Sequence, residues 1–455
     1  MTLHIVILAA GKGKRMQSSL PKVLHPIAGK PILERIVETA QQLNPDAIDV
    51  VIGHEKELLR TRLAHLPVNW VEQVQPAGTG HAVATALPQI AEHAQVLILF
   101  GDVPLISLST LRQLIKNTAV DGLGLVTAKV ANPYGLGRII RNEYQHIARI
   151  IEHADAGPEE LSINEINSGI LLTSAKNLRC WLPKVSNNNA QGEYYLPDII
   201  PHAVIEGCNI VSVLAETEQE VQGINDRTQL ILLERYYQQR QARQLLLAGV
   251  TIADPQRFDL RGCIQAGKDV FIDVNVVLEG EVIIGEHSSI GANCVLRNVR
   301  IGNHVQIKAN SVIEDAEIAD GCHIGPFARI RPGTKLAEQV HIGNFVEVKN
   351  TSLGAGSKAN HLSYLGDATI GKQVNIGAGT ITCNYDGVNK HKTIIADEVF
   401  IGSGTELVAP VKINTGATIG AGSTITKDAP EQTLTLSRSK QISVPGWMRP
   451  TKKTD

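Results

Sequence analysis

The sequence has few aromatic residues and almost no net charge, and both shortages narrow the kinds of protein it encodes. Phe, Trp and Tyr make up only 4% of the 455 residues, while glycine reaches 40. This composition predicts that part of the chain is a thin, regular β structure packed with aliphatic side chains. A formal net charge of −2 argues against a dedicated nucleic-acid binder, which normally has a large basic excess.

Metal-binding cysteine pairs and long apolar runs are also missing. The six cysteines form no Cys-x-x-Cys pair and no zinc-ligand spacing, so we expect reduced, inert thiols. The sequence contains no run of about 18 apolar residues, the length that would predict a membrane span. The apolar segment 3–10 lacks a preceding basic region and predicts a strand rather than a signal peptide. We therefore expect a soluble, cytoplasmic protein without membrane insertion.

Up to residue 225, short apolar runs alternate with amphipathic segments. The predicted strands are 5–8, 49–52, 96–100 and 123–130, and the predicted helices include 31–43, 80–90 and 109–117. Alternation of this kind is typical of a mostly parallel, Rossmann-like α/β sheet covered on both faces. Residues 226–249 are rich in Leu, Gln and Arg, begin with a candidate Asp cap and end with Gly, which predicts one linker helix.

From residue 250 to 430 the hydrophobic period changes to six. Aliphatic or small residues recur every six, occasionally five, positions from Leu260 to Ile376 and again from Ile395 to Ile425. A six-residue repeat sustained this long indicates a parallel β-helix with three short strands per coil, and its length predicts roughly nine coils. Long flat edges favour association between chains, so we expect an oligomer. Residues 431–455 form a basic tail.

A glycine-rich turn, Gly11-x-Gly13, follows the first predicted strand. It is not a Walker A motif, and alone it is also compatible with a plain strand-to-helix turn. Its backbone amides can approach a phosphate chain, with positive charge from Lys12, Arg15 and Lys22.

With Arg15 and Pro21-Lys22, this segment closely resembles the sugar-1-phosphate nucleotidyltransferases. Later motifs narrow the resemblance to the bacterial bifunctional N-acetylglucosamine-1-phosphate uridyltransferase / glucosamine-1-phosphate N-acetyltransferase family, over nearly the whole chain. The resemblance implies acetylation of glucosamine-1-phosphate with acetyl-CoA, followed by uridylyl transfer from UTP with release of pyrophosphate. It also implies Mg²⁺, a left-handed β-helix, a homotrimer with acetyltransferase sites at subunit interfaces, and a product that feeds peptidoglycan and lipopolysaccharide precursors.

Asp102 follows an apolar strand, where ligands bind in open α/β sheets. For an isolated aspartate a strand-end cap is about equally compatible, but beside the glycine-rich loop we interpret it as a Mg²⁺ ligand. By resemblance, the second ligand is Asn225 of Gly-x-Asn, and Arg15 and Lys22 are catalytic. The resemblance also implies a nucleotide and sugar-phosphate site of Leu8, Ala9, Ala10, Gly11, Lys22, Gln73, Gly78, Thr79, Gly101, Asp102, Gly137, Glu152, Asn167 and Asn225.

Two positions depart from the family. Phe100 stands where the family usually has tyrosine, so a contact through that hydroxyl is absent here. The family often has Gly-Thr-Arg where this chain has Gly13-Lys14-Arg15, so Lys14 adds a charge near the triphosphate.

The repeat has two defects, and chemistry is expected at such irregularities. At Ala359-Asn360-His361 the aliphatic anchor shrinks to Ala, and at 382–393 a polar loop interrupts the repeat. Both resemble hexapeptide-repeat acetyltransferases. His361 is the candidate general base, because an imidazole can take the proton that an ammonium nucleophile must lose. A solvated corner would be the favoured interpretation of this histidine outside a repeat defect.

The same resemblance supplies two binding sets. Glucosamine phosphate would bind Arg331, Lys349, Tyr364, Asn375 and Lys390. Acetyl-CoA would bind Ala378, Asn384, Tyr385, Ser403, Ala421 and Arg438. Residues 438–455 carry a net charge of +4, which suits the phosphates of CoA and equally suits a solvated terminus.

Four histidines, at 287, 304, 323 and 341, recur about one coil apart. Their positions relative to the repeat split them into two outward-facing pairs, so we interpret them as solvated side chains rather than zinc ligands. Two other functions stay open at this stage. The β-helix could serve only for oligomerisation or effector sensing beside a nucleotidyltransferase, or it could be a binding scaffold.

Overall fold

The structure, a computed structural model, describes residues 2–11, 13–53 and 55–452. Lys12 of the glycine-rich turn and Lys453 and Asp455 of the basic tail therefore lie outside the described residues. The chain divides into two compact units, Met1–Tyr237 and Gln238–Asp455. The division falls inside a single helix, Arg227–Leu247, which begins after Asp226 as expected for the linker helix.

The first unit is an α/β domain, as predicted. Its strands are β1 (Leu3–Leu8), β2 (Pro26–Ile27), β3 (Lys30–Pro31), β4 (Ala47–Ile52), β5 (Asn69–Glu72), β6 (Gln95–Phe100), β7 (Leu123–Lys129), β8 (Arg138–Arg141), β9 (Ile147–Ile151), β10 (Glu165–Ser174) and β11 (Ile210–Leu214). Its helices are α1 (Ile32–Gln41), α2 (Lys56–Arg62), α3 (Thr79–Ala86), α4 (Leu108–Asn117), α5 (Pro158–Leu161), α6 (Ala175–Trp181), α7 (Ile199–Ile205), α8 (Glu218–Val221) and the dividing helix α9 (Arg227–Leu247). Short 3₁₀ turns lie at Lys14–Met16, Lys22–Leu24, Leu87–Gln89, Leu182–Lys184 and Leu196–Asp198.

The main sheet has the order β11-β7-β10-β6-β1-β4-β5 and is mostly parallel. Strand β10, which was not predicted, is antiparallel to both of its neighbours. Alternate residues of β1 enter two different apolar cores, with Ile5 and Ile7 on one face and Val6 and Leu8 on the other. This double burial explains why the strands have continuous apolar sequences.

Two helices differ from the prediction at one end, one because of a proline and the other because of a serine cap. The expected helix 80–90 is α3 followed by the 3₁₀ turn Leu87–Gln89, because Pro88 cannot donate the hydrogen bond that would continue the α-helix. Helix α4 begins one residue earlier than predicted, since the Ser107 hydroxyl accepts a hydrogen bond from the Thr110 backbone amide.

The second unit is a β-helix of the left-handed, hexapeptide-repeat class, built from parallel strands. One face is a sheet of Thr251–Ile252, Phe271–Ile272, Ser289–Ile290, Gln306–Ile307, His323–Ile324, His341–Asn344, Lys358–His361, Asn375–Ile376, Phe400–Ile401, Thr418–Ile419 and Leu434–Thr435. The other two faces share Asp259–Ala266, Val277–Ile284, Val295–Ile301 and Val312–Ile318, which continue across a corner. They then separate into Arg329–Ile330, Glu347–Lys349, Tyr364–Gly366, Ile381–Cys383, Glu406–Val408 and Thr424–Ile425, and into Thr334–Leu336, Ser352–Leu353, Ala368–Ile370, Thr393–Ile395 and Val411–Ile413. A 3₁₀ turn occupies Pro255–Arg257.

The estimate of roughly nine coils was too low, since the first face has eleven strands in the described chain. The repeat starts at Thr251, ahead of the first recognised anchor Leu260, and a further strand, Leu434–Thr435, follows Ile425. Aliphatic side chains from successive coils stack in one continuous core, for example Ile324 on Ile342. The polar interruption lies outside this core, with residues 385–390 exposed.

Candidate functional sites

In the first unit, parallel strands β1, β4 and β6 end at one edge of the sheet. The chain leaves β1 at Ala9 and leaves β6 at Gly101, whose backbone amide donates to the Leu8 carbonyl at 2.8 Å. A Cβ atom at position 101 would lie 2.9 Å from the Ala9 Cβ, so this close approach requires glycine. The edge therefore places Asp102 directly beside the glycine-rich turn.

A cavity of about 210 Å³ opens at this edge. Nine of the predicted nucleotide-site residues line it, namely Leu8, Ala9, Ala10, Gly11, Lys22, Gln73, Gly78, Thr79 and Asp102. Arg15 is exposed in the 3₁₀ turn Lys14–Met16 and is not part of the cavity wall.

Lys22 joins the two predicted metal ligands. Its Nζ donates to Asp102 Oδ2 at 2.6 Å and to Asn225 Oδ1 at 3.3 Å. Asn225 is held from behind, because its backbone amide donates to Gln229 Oε1 at 2.7 Å. Gly223 lies beside the same carboxylate, with its hypothetical Cβ 3.6 Å from Asp102 Oδ2.

The donor set at this point fits a hard divalent cation. A carboxylate and an amide oxygen already share one cation, the Lys22 ammonium. Mg²⁺ in proteins is usually held by one or two such oxygens, with water and substrate phosphates completing the shell. Among the described residues, no three His, Cys, Asp or Glu side chains converge into a larger metal cage.

A second cavity, of about 270 Å³, is lined by the residues predicted to hold the sugar phosphate, Gly137, Glu152 and Asn167. It shares Thr79 and Phe100 with the first cavity. The Phe100 ring packs on Gly169, where a Cβ would lie 2.5 Å from the ring, so Phe100 forms part of a wall common to both cavities.

Glu152 lies among acids in the second cavity. Burial raises the pKa of its carboxyl, and the negative charges of Asp198 and Asp155 add to the effect, whereas Arg138 acts in the opposite direction. Burial and Asp155 also raise the pKa of Asp198. The Tyr195 hydroxyl is buried here without a hydrogen-bond partner among the described residues.

Residues 186–195, a segment that contributes to the walls of both cavities, were not predicted as site residues. Glu193 lines both of them, and Tyr195 lines the second. Two backbone hydrogen bonds fix the segment to the start of α3 and the turn before it: Gly80 N–H donates to the Tyr194 carbonyl at 2.8 Å, and Tyr194 N–H donates to the Ala77 carbonyl at 2.9 Å. No hydrophobic period marks residues 186–195, so its only sequence signal is its polar, irregular composition.

In the second unit, His361 lies at the end of a strand and is exposed. Its Nδ1 lies 2.9 Å from Asn344 Oδ1, on the paired strand of the preceding coil. Ser363 Oγ donates to the His361 carbonyl at 2.8 Å, which fixes the backbone at the following corner.

Three of the predicted glucosamine-phosphate residues, Arg331, Lys349 and Lys390, lie near two carboxylates. Arg331 Nη1 donates to Glu347 Oε1 at 2.7 Å, and Lys349 Nζ lies 3.9 Å from Asp367 Oδ2. Asn384, predicted for acetyl-CoA, instead donates to Asp367 Oδ2 at 2.5 Å and so lies with this cluster.

Asp367 is the centre of this polar cluster. Burial, the largest single influence, acts to raise the pKa of its carboxyl. Hydrogen bonds from Asn350 and Asn384 and the charges of Lys349 and Lys390 act in the opposite direction, and together they lower the pKa below its ordinary value. Lys390 reaches this region because it forms a bridge with Tyr385 across the expelled loop.

The remaining residues predicted to bind acetyl-CoA follow one corner of the β-helix, whose three faces form a prism. Gly404 N–H donates to the Ala378 carbonyl at 2.7 Å, and Gly422 N–H donates to the Ser403 carbonyl at 2.8 Å. Arg438 of the tail reaches the same row, since a Cβ at Gly422 would lie 3.8 Å from its Cδ. Ala421 directly precedes Gly422 in this row. Asn375, predicted for glucosamine phosphate, lies on the first face of the β-helix, where it pairs with Lys358 and Phe400.

The repeated histidines form two pairs, as predicted. His287 and His304 stack with ring centroids 5.0 Å apart, and His323 and His341 meet edge to face at 4.8 Å. All six cysteines are free. Among the described helices, none combines the length and the apolarity needed to cross a bilayer.

Comparisons with known proteins match both units. The MobA-like NTP transferase domain family matches residues 5–163, the GMPPB C-terminal domain family matches 260–353, and the bacterial transferase hexapeptide family matches 392–427. "Bifunctional protein GlmU" of Janthinobacterium sp. (strain Marseille) is 53% identical over 450 residues, covering 99% of each chain. The protein of the same name from Legionella pneumophila (strain Lens) is 56% identical over 458 residues, covering 100% of this chain and 99% of that one. A solved UDP-glucose pyrophosphorylase complexed with UDP-glucose is 18% identical, with a TM-score of 0.44, and covers 53% of this chain and all of its own.

Proposed function

Because the chain belongs to the family of bifunctional GlmU proteins, we propose that each of its two reactions is carried by one of the two units. The protein is a bifunctional transferase with uridylyltransferase and acetyltransferase activities. The α/β unit would form UDP-N-acetylglucosamine, and the β-helix would supply N-acetylglucosamine-1-phosphate from glucosamine-1-phosphate and acetyl-CoA.

The observation that carries the uridylyltransferase site is the pair of cavities with a common wall. The first contains the glycine-rich turn, Lys22 and Asp102, and suits a nucleoside triphosphate. The second contains Glu152 and Asn167, and suits the sugar phosphate. A phosphate oxygen of the sugar would attack the α-phosphorus of UTP in line, forming one P–O bond while the bond to pyrophosphate breaks.

Asp102 and Asn225 would hold Mg²⁺, since both oxygens already bind the Lys22 ammonium. When bound, Mg²⁺ supplies neutralising charge for the triphosphate. Lys22, displaced toward the phosphates, would stabilise the charge that develops on the departing pyrophosphate. Gln73 and Gly78 would contact uracil, while Arg15 would reach the triphosphate from the turn.

In the acetyltransferase site, His361 Nε2 would take a proton from the ammonium of glucosamine-1-phosphate. The amine then attacks the thioester carbonyl carbon, a C–N bond forms and the C–S bond breaks. The CoA thiolate takes the second proton lost by the nitrogen. Arg331, Lys349 and Lys390 would bind the sugar phosphate, and the row of Ala378, Ser403, Ala421 and Arg438 would bind acetyl-CoA.

We also propose a cytoplasmic homotrimer. The basic cluster around Asp367 and the row containing Ser403 follow different parts of the prism, which suits a site completed by a second copy. One corner also exposes a stacked pair, Phe327 and Phe345, at 49% and 57%, followed by Leu362 at 62%. Burial of these side chains by another copy would stabilise the assembly. Light scattering on the purified protein would measure its stoichiometry.

The two half-reactions test the assignment. His361→Ala should abolish acetyl transfer and spare uridylyl transfer, whereas Asp102→Ala should do the reverse. Loss of both activities in either folded variant would contradict independent sites. Unchanged acetyl transfer in His361→Ala would contradict the role of His361 as the base. No acetyl transfer by the wild-type protein would favour a β-helix that serves only for assembly or binding.

A further inference from the structure

We infer that Asn344 is a positioning residue for acetyl transfer, which holds the His361 imidazole in the tautomer that leaves Nε2 free to accept a proton. The inference rests on the proposed role of His361 as general base. Asn344 is not among the residues predicted to bind substrate or to act in catalysis.

The hydrogen bond itself determines the tautomer. Asn344 Oδ1 lies 2.9 Å from His361 Nδ1. An amide oxygen can only accept a hydrogen bond, so Nδ1 must carry the hydrogen. In the neutral ring the other nitrogen, Nε2, then has the unshared electron pair that a general base needs.

The strands that carry the two residues are longer than the others of their face. His341–Asn344 and Lys358–His361 have four residues each, whereas the other described strands of that face have two. The extension brings Asn344 and His361 into register as a Cα pair. Gly343 permits it, because a Cβ there would lie 1.9 Å from the Asn360 carbonyl oxygen.

Both long strands end at corners with left-handed backbone. The residues that follow them, Phe345 and Leu362, have φ angles of 56° and 49°. The chain turns away immediately after Asn344 and His361, which leaves His361 exposed. Because the imidazole is exposed, the hydrogen bond to Asn344 contributes to fixing its orientation.

A matched contact between an amide and a histidine occurs elsewhere on the same face. His323 Nδ1 lies 3.2 Å from Gln306 Oε1, 17 residues earlier and on the paired strand of the preceding coil. Gln306→Leu removes this contact without touching either proposed substrate group. It therefore serves as the control for loss of an amide–histidine bond between coils.

The experiment measures steady-state acetyl transfer by the full-length protein with Asn344→Leu, Asn344→Asp and Gln306→Leu. Asn344→Leu keeps the side-chain shape but cannot accept a hydrogen bond. It should lower kcat about 10- to 100-fold, by analogy with the loss of an orienting partner from a metal-binding histidine, while both KM values stay within about twofold. Asn344→Asp, which can accept the same Nδ1 hydrogen, should restore kcat to within about fivefold of the wild type.

Several outcomes would overturn the inference. They are an unchanged kcat in Asn344→Leu, an equal loss in Gln306→Leu, or no recovery in a folded Asn344→Asp. His361→Ala separates this inference from the proposed function. If His361→Ala retains acetyl transfer, the role of His361 as base is wrong. If His361→Ala loses acetyl transfer but Asn344→Leu does not, only the role of Asn344 is wrong. The double variant should be no slower than His361→Ala, because Asn344 acts only through the imidazole.

Discussion

The Lys22 ammonium lies 2.6 Å from Asp102 Oδ2 and also contacts Asn225, so a lysine occupies the position proposed for the divalent cation. Cation binding must therefore break a charge-assisted hydrogen bond worth about 1.5–3 kcal/mol. Lys22→Met should raise the affinity of the nucleotide-free protein for Mn²⁺ about tenfold, the equivalent of about 1.4 kcal/mol. The same variant should lose uridylyl transfer, since the phosphates lose their lysine.

Electron paramagnetic resonance of free Mn²⁺ measures this affinity directly. Lys14→Met is the control, because Lys14 is an exposed lysine of the same segment. Unchanged Mn²⁺ affinity in Lys22→Met would show that the cation does not bind at Asp102 and Asn225.

The sequence predicted those parts of the fold that depend on period alone. The six-residue repeat identified the β-helix because each coil needs aliphatic residues at its inward positions, and alternation identified the α/β unit. Asp102 was found because strand ends at one sheet edge lie together. Strand β10 was missed, since an antiparallel strand inside a mostly parallel sheet leaves no distinct apolar pattern.

Contacts between coils could not be assigned without the exact register. Asn344 and His361 are 17 residues apart, close to one coil, so a coil-length offset from the candidate base was the available signal. The corner lengths vary by a residue, however, and a shift of one position would place another side chain opposite His361. The segment containing Glu193 has no period at all, and its position is set by backbone hydrogen bonds between Tyr194 and residues 77 and 80.

Glu152 should make stability depend on pH. Burial and the charges of Asp198 and Asp155 raise the pKa of its carboxyl in the folded protein. A carboxyl of this kind binds its proton more tightly when folded, so stability falls as pH rises from the ordinary carboxyl range through the raised pKa. Glu152→Gln cannot ionise, and its Tm relative to wild type should be higher at pH 8 than at pH 5.

Calorimetry of the full-length protein would measure the Tm difference between Glu152→Gln and wild type at each pH, from the unfolding transition of the unit Met1–Tyr237. Glu143→Gln, at an exposed position, should give the same difference from wild type at the two pH values. A pH-independent difference for Glu152→Gln would mean that the Glu152 carboxyl does not contribute to the pH dependence.

Asp367 should matter for acetyl transfer because it holds two groups of the proposed sugar-phosphate site. It accepts a hydrogen bond from Asn384 at 2.5 Å and pairs with Lys349 at 3.9 Å. Asp367→Ala releases both, so kcat/KM for glucosamine-1-phosphate should fall about tenfold or more, corresponding to about 1.4 kcal/mol of lost transition-state stabilisation. Uridylyl transfer should not change.

Asp315 provides the matched control for this variant. Both aspartates have positive φ at corners, 44° and 50°, and both accept a hydrogen bond from an asparagine 17 residues earlier. Only Asp367 also binds Asn384 and a lysine of the proposed site. An equal loss of kcat/KM in Asp315→Ala would assign the effect to the corner ladder. A loss confined to Asp367→Ala would assign it to the positions of Lys349 and Asn384, because the ladder bond is removed in both variants.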